Sequence, residues 1–292
     1  MDKEHQAIQR LQTASEMSFH AYGLPLVVTT SGGKDSSVVV ELARRAGIPF
    51  EVLHNHTTAD APETVYFIRD EFKRLEGLGI KCTVEYPAYK GKRTSMWDLI
   101  PQKSMPPTRL MRYCCSVLKE RGGAGRFIAT GVRWAESVKR RGRGLYETNP
   151  SDPKKKIILN NDNDDTRRLF ETCKPKSKRT VNPIIDWTDT DVWDFIEAER
   201  LPCNPLYCEG FKRVGCIGCP MASKTRYAEF ARWPVYKLNY IRAFDRMIAA
   251  REATGKDTVW TSGEQVFRWW MEEEDIPGQY WLEDYESEEG ET

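Results

Sequence analysis

The stretch Leu24-Pro25-Leu26-Val27-Val28-Thr29-Thr30-Ser31-Gly32-Gly33-Lys34-Asp35-Ser36-Ser37-Val38-Val39-Val40-Glu41-Leu42 decides the fold. Its apolar, β-branched run from Leu26 to Thr30 reads as a buried strand. The run stops at Ser31-Gly32-Gly33, where the glycines permit a tight turn and a close approach of backbone to a ligand. Asp35 or Ser36 is expected to cap the helix that follows, and Val38, Val39, Leu42 and Ala43 give that helix an apolar face. A strand, a glycine turn and a helix start gather backbone N–H groups at a positive dipole end, which suits an anion. Lys34 adds a point charge, and Ser31, Ser36 and Ser37 add hydroxyls. Phosphates of a nucleotide are the expected guest.

The stretch is not a Walker A loop, which places four residues between its first glycine and Gly-Lys-Ser/Thr. Ser31-Gly32-Gly33-Lys34-Asp35-Ser36 instead resembles the SGGxDS pyrophosphate loop of the N-type ATP pyrophosphatases. The resemblance implies cleavage of ATP between its α and β phosphates, and in many members adenylation of a substrate. An ordinary tight strand-to-helix turn is the alternative reading.

The chain has 292 residues, enough for one large domain or two modest ones with a sizeable core. A hydrophobic share of 40% and a charged share of 30% are those of a soluble globular protein. No run of about 18 apolar residues suggests a membrane span. The charged start Met1-Asp2-Lys3-Glu4-His5 lacks the apolar core of a secretory signal, so a cytoplasmic location is expected. Eight cysteines in that setting argue for a metal centre or redox chemistry rather than structural disulfides. A net charge of +1 makes no global case for nucleic acid. The basic stretches Lys139–Arg143 and Lys154–Lys156 permit a nucleic-acid acceptor; solvated loops are the alternative.

Working outward, residues 3–22 read as an amphipathic helix with Ile8, Leu11, Met17 and Phe19 on its buried stripe. Further strands are expected at Pro49–Leu53, Ile80–Tyr86, Phe127–Thr130 and Val181–Trp187, separated by helical segments. The fold class is therefore α/β: a doubly wound, mostly parallel sheet of about five strands with helices on both faces. In such sheets ligands sit beyond the carboxyl ends of the strands. The loop His54-Asn55-His56-Thr57-Thr58-Ala59-Asp60 lies there and is assigned to nucleotide contact through Asn55, with a two-histidine metal site as the alternative. Arg133, Ser137, Arg140 and Arg141 follow the fourth strand, and an arginine there can clamp phosphate or sulfate bidentately. Residues 142–180 lack a period and read as a mobile insertion over the active face. Thr188 is expected to cap a helix, with Asp191 completing a near capping box.

Cys216-Ile217-Gly218-Cys219 puts two thiols on one turn, and Cys114-Cys115 supplies two more. Four thiolates suit zinc and a [4Fe–4S] cluster alike. Residues 224–253 and 261–274 read as helices whose aromatics form core, and residues 283–292 read as an acidic, disordered tail. Domain boundaries are drawn at 1–200 for the nucleotide-binding part and 201–282 for the CxxC turn with its helices.

Together these segments resemble the phosphoadenosine phosphosulfate (PAPS) reductase family of the adenine-nucleotide α-hydrolase superfamily, a HUP-like fold. The match rests on Ser31–Ser36, Cys114-Cys115 with Lys119, Thr130-Gly131-Val132-Arg133 with Glu136-Ser137, Asn182-Pro183-Ile184 with Trp187 and Asp191-Val192-Trp193, and Asn204-Pro205-Leu206-Tyr207 through Gly215-Cys216-x-x-Cys219-Pro220. It implies Cys114, Cys115, Cys216 and Cys219 as cluster ligands, with Cys208 in reserve. Two departures qualify the resemblance. Reductases of this family end with a mobile cysteine that attacks the sulfate sulfur, and here the last cysteine is Cys219. The phosphate loop is also intact, as in members that consume ATP. The reading that follows is ATP with Mg²⁺ on Ser31–Ser36, Lys34 and Arg133 as catalytic groups, and an adenylated oxygen then replaced by sulfur. A sulfur donor or partner protein and a nucleic-acid acceptor are the implied partners. The alternatives are a sulfonucleotide reductase using Cys173, Cys203 or Cys208, and a nucleotide-binding regulatory subunit with a structural metal.

Overall fold

The computed structural model describes residues 2–120, 122–149, 158–160 and 178–273. The chain divides into two compact units, Met1–Pro87 with Leu118–Cys216, and Ala88–Val117 with Ile217–Thr292. No helix among the described residues is long and apolar enough to cross a membrane.

The first unit opens with helix α1 (Lys3–Tyr22), capped by the Asp2 carboxylate and closed by Gly23 in the left-handed region at φ 65°. Ala7, Leu11, Ala14 and Met17 form its buried stripe, whereas Phe19, expected there, is exposed. Strand β1 (Leu26–Thr30), helix α2 (Lys34–Arg45), strand β2 (Phe50–Asn55), helix α3 (Pro62–Gly77) and strand β3 (Lys81–Glu85) follow. Pro62 at the helix start uses a position whose N–H has no intrahelical partner. Strands β6 (Phe127–Ala129), β7 (Tyr146–Asn149), β8 (Ile158–Leu159) and β9 (Lys178–Val181) and helix α6 (Asp189–Ala198) also belong to this unit. The Thr188–Asp191 capping box forms as expected.

The sheet has seven strands in the order β3-β2-β1-β6-β9-β7-β8. The first five in that order are mutually parallel, with Leu26 opposite Phe50, Val27 opposite Ile128, and Ile128 opposite Thr180. These are the five expected strands, although the fifth ends at Val181 rather than starting there. The extension is a correction to the loop read over residues 142–180. Tyr146 pairs antiparallel with Val181, and Glu147 with both Thr180 and Ile158. Leu145 and Tyr146 are buried in the core, which pulls this segment onto the sheet edge. The core joins α1, α2 and α6 side chains (Leu11, Val38, Val39, Leu42, Val192, Phe195) to the strand residues Leu26, Val28 and Phe127.

β1 leads through α2 to β2 on one side, while β6 pairs with its other edge. The strand order reverses there, so the β1 and β6 carboxyl ends flank the crevice where an open α/β sheet takes its ligand.

The second unit holds a ribbon of β4 (Ala88–Tyr89) and β5 (Lys92–Arg93), then α4 (Met96–Lys103), α5 (Tyr113–Leu118, ending just inside the first unit), α7 (Thr225–Arg232), α8 (Pro234–Ala253) and α9 (Gly263–Trp270). Its core is aromatic: Tyr240 lies 4.9 Å from Trp97 and 4.7 Å from Trp270, ring centre to ring centre. Buried Arg226 stacks over Trp270 at 5.0 Å and donates to its carbonyl at 2.9 Å.

Candidate functional site

The phosphate loop is built from its own side chains. The Ser31 amide donates to Ser36 Oγ at 3.2 Å, the Gly32 amide to Thr30 Oγ1 at 3.2 Å, and Ser36 Oγ donates to the Gly33 carbonyl at 2.8 Å. Gly32 sits at φ 71°, and a Cβ there would come within 3.0 Å of Thr64 and Ile68. Gly33 is the N-cap residue of α2 with no side-chain cap, so neither Asp35 nor Ser36 plays the capping part expected of it. Asp35 is committed elsewhere, to two cations.

Those cations are Lys34 and Arg133. Lys34 Nζ lies 3.1 Å from Asp35 Oδ1 and 2.9 Å from Asp189 Oδ1. Arg133 donates through Nε to Asp35 at 2.7 Å, through Nη2 to Asp189 at 2.6 Å and through Nη1 to the Trp187 carbonyl at 3.2 Å. Burial opposes the Arg133 charge, and the facing carboxylates of Asp35 and Asp189 outweigh it, so its pKa lies above the ordinary arginine value. The Lys34 hydrogen bond, joined by that of Arg133, holds the Asp189 carboxyl below its ordinary value. Asp189, in the first turn of α6, was missed by reasoning from the sequence, which singled out only its neighbours Thr188 and Asp191. Two cations and two carboxylates cancel formally, so this network carries no net charge of its own.

Segments distant in sequence lock the loop. The Tyr207 hydroxyl accepts the Lys34 amide at 3.0 Å, and burial, with the Asp35 charge, pushes its pKa up to about 12. Asn204 Nδ2 donates to the Gly32 carbonyl and to Thr64 Oγ1, both at 3.1 Å. Gly131, just after β6, is pressed against the first turn of α2: a Cβ there would stand 2.8 Å from the Asp35 carbonyl carbon and oxygen. Backbone cannot swing aside as a side chain can. Gly131→Ala is therefore expected to cost about 1–3 kcal/mol, the range for overpacking, and to distort the loop. A melting curve beside a nucleotide-binding assay checks it; parental values for both would remove Gly131 from the site.

The remaining expected site residues stand as follows. Asn55 closes β2, its amide packed where a Cβ on Gly122 would fall. His54 is buried with Nδ1 3.0 Å from the Thr30 carbonyl, and burial pushes its pKa below the ordinary histidine range. Cys216, the last residue of the first unit, is buried and donates from Sγ to Thr57 Oγ1 at 3.3 Å; its backbone bridges to Asp60. Cys114, Cys115 and Cys219 belong to the second unit. Cys114 is buried, and the half-buried Cys115 sulfur accepts from Arg112 Nη2 at 3.2 Å. Gly218, at φ 71° with the Phe230 ring where a Cβ would go, makes the turn that leads to Cys219. Cys208 is exposed, and burial raises the Cys203 thiol pKa. Cys173 and Lys154–Lys156 lie outside the described residues. In the stretch Lys139–Arg143, Arg140 is paired with Glu136 at 2.9 Å.

Among known proteins, the chain is 30% identical over 234 residues to an uncharacterized protein of Methanocaldococcus jannaschii, covering 78% of this chain and 47% of that one. It is 27% identical over 202 residues to adenosine 5'-phosphosulfate reductase of Allochromatium vinosum, covering 68% of each. It is 31% identical over 189 residues to sulfate adenylyltransferase subunit 2 of Rhizobium tropici, covering 62% of this chain and 56% of that one. The chain thus spans about half the length of two of these relatives. Among solved structures, PAPS reductase from Candida auris is 17% identical with a TM-score of 0.44, covering 74% of this chain and 96% of that one. Residues 25–222 match the family model of the phosphoadenosine phosphosulfate reductase domain, and the chain belongs to that family.

Proposed function

We propose that this chain is an ATP pyrophosphatase-type enzyme that adenylates an acceptor in preparation for sulfur transfer. The observation that carries the reading is the phosphate loop Ser31–Ser36 with Lys34 held beside buried Arg133 by Asp35 and Asp189. ATP binds with its β and γ phosphates on this loop and Mg²⁺ neutralising them. An acceptor oxygen attacks the α-phosphorus, the bond to the bridging oxygen breaks, and pyrophosphate leaves. Lys34 stabilises the charge that develops on that leaving group, and Arg133 fixes the carboxylates that aim Lys34. Sulfate adenylyltransferase subunit 2 among the relatives supports an adenylyl-transfer reading and suggests a partner subunit.

The family resemblance implies a [4Fe–4S] cluster on Cys114, Cys115, Cys216 and Cys219, with zinc as the alternative; within the second unit the sulfurs of Cys114, Cys115 and Cys219 are not gathered within 4.8 Å of one another. Four thiols are a donor set that suits either, and Arg112 Nη2 donates to the Cys115 sulfur at 3.2 Å. When bound, a cluster would supply iron able to carry sulfur. A nucleic-acid acceptor would meet the basic stretches Lys139–Arg143 and Lys154–Lys156.

The test is product analysis of Mg·ATP turnover by anaerobically purified protein. Pyrophosphate with AMP or an adenylated acceptor is expected. ADP and phosphate as the products, or sulfite released from a sulfonucleotide with no ATP cleavage, would overturn the reading.

A further inference from the structure

We infer that His54, His56 and Asp60 form a binding site for a divalent transition-metal ion of the zinc class at the carboxyl end of β2. Each offers one ligand atom within 4.8 Å of the other two; among the described residues this is the one such group of histidine, cysteine or carboxylate side chains. The inference does not depend on ATP cleavage.

His54 carries the argument. Its side chain is 4% exposed, and Nδ1 lies 3.0 Å from the Thr30 carbonyl oxygen. A carbonyl oxygen only accepts, so Nδ1 bears the proton and Nε2 is left with a lone pair. That Nε2 is buried without a hydrogen-bond partner. An unmatched buried acceptor is costly. A metal-ligating histidine has this arrangement: one ring N–H fixed on a backbone carbonyl, the other nitrogen presented to the ion.

Asp60 supplies the charge. It is 8% exposed, and its Oδ2 accepts the Thr57 amide at 2.7 Å while standing 3.5 Å from His56 Nδ1. A buried carboxylate favours a cation beside it. The amide is the kind of outer contact that orients a ligating carboxylate. His56 is half-buried, its backbone amide bonded to the Glu85 carbonyl at 2.9 Å and its ring set edge-on to Tyr86 at 5.4 Å. Ligands on one zinc at about 2.0–2.1 Å stand roughly 3.4 Å apart, close to the 3.5 Å between His56 Nδ1 and Asp60 Oδ2. Two imidazoles and one carboxylate suit zinc, cobalt or ferrous iron over magnesium or calcium, and three protein ligands leave a position for water or a substrate oxygen.

Cobalt(II) is the probe, added to chelator-stripped full-length protein and followed by visible absorption and calorimetry. The parent is expected to bind cobalt with nitrogen–oxygen d–d bands and to release it to zinc. His56→Ala and Asp60→Asn, each with parental circular dichroism, are expected to weaken that binding about 10–100-fold or more while leaving any thiolate-to-cobalt charge-transfer band unchanged. Unaltered cobalt affinity in both variants, or absorption arising from thiolate ligation alone, would overturn the assignment. Since His56 is half-exposed, its truncation tests the site without opening a core cavity.

Discussion

Lys34→Ala is expected to slow pyrophosphate release from ATP by about 10²–10³-fold, the usual effect of deleting one preorganised donor aimed at developing charge. The geometry singles out Lys34. Every guanidinium nitrogen of Arg133 is already engaged, on Asp35, Asp189 and the Trp187 carbonyl. Lys34 has three donors on a rotatable stem, and one of its partners, Asp189, has a side chain 73% exposed to water that can replace the bond. Lys34 can therefore turn to a leaving phosphate while Arg133 stays fixed. Single-turnover measurement with saturating Mg·ATP isolates the chemical step, and the loss belongs in kcat rather than KM. An unchanged rate in the variant would remove Lys34 from the chemistry.

Arg133→Met is expected to destabilise the fold by about 3 kcal/mol. Breaking a buried ion pair costs about 3–5 kcal/mol by leaving its partner uncompensated, and the exposure of Asp189 places this case at the lower end. For a domain of this size each kcal/mol shifts the melting temperature by roughly 2–4 °C, so a drop of roughly 6–12 °C follows. The Arg133 side chain is 2% exposed, so the pair it makes with Asp35 is a buried one on the arginine side. Arg133→Lys keeps the charge but cannot reach three partners from one plane, and an intermediate drop is expected. A melting curve equal to the parent's for Arg133→Met would mean that the four-charge network contributes nothing to stability.

Much of this architecture is legible in local patterns. β1, β2, β3 and β6 fall within about two residues of their expected places because runs such as Leu26–Thr30 carry their own period and end at turn residues. Tyr146–Asn149 was not found because its four residues are polar at Glu147, Thr148 and Asn149; its strand character comes from pairing with Val181 and Thr180. Arg133 was noticed as a basic side chain beyond a strand, but its burial between Asp35 and Asp189 depends on α6, which begins 56 residues later. Asp60 was not singled out in the pattern His54-x-His56-x₃-Asp60, because its closeness to His56 arises only when the loop after β2 folds back.

The central pairing of the sheet also bears on how the chain is made. The Thr29 hydroxyl donates to the carbonyl of Ala129, 100 residues further on. A ribosome delivers β1, β2 and β3 with their two crossover helices well before β6 exists. For that interval β1 is an open edge of apolar, β-branched residues, a template for unwanted pairing with other nascent chains. Such long-range closure slows folding. Yield on expression should thus depend on translation speed and chaperone supply between residues 30 and 130 more than on the stability of the finished protein.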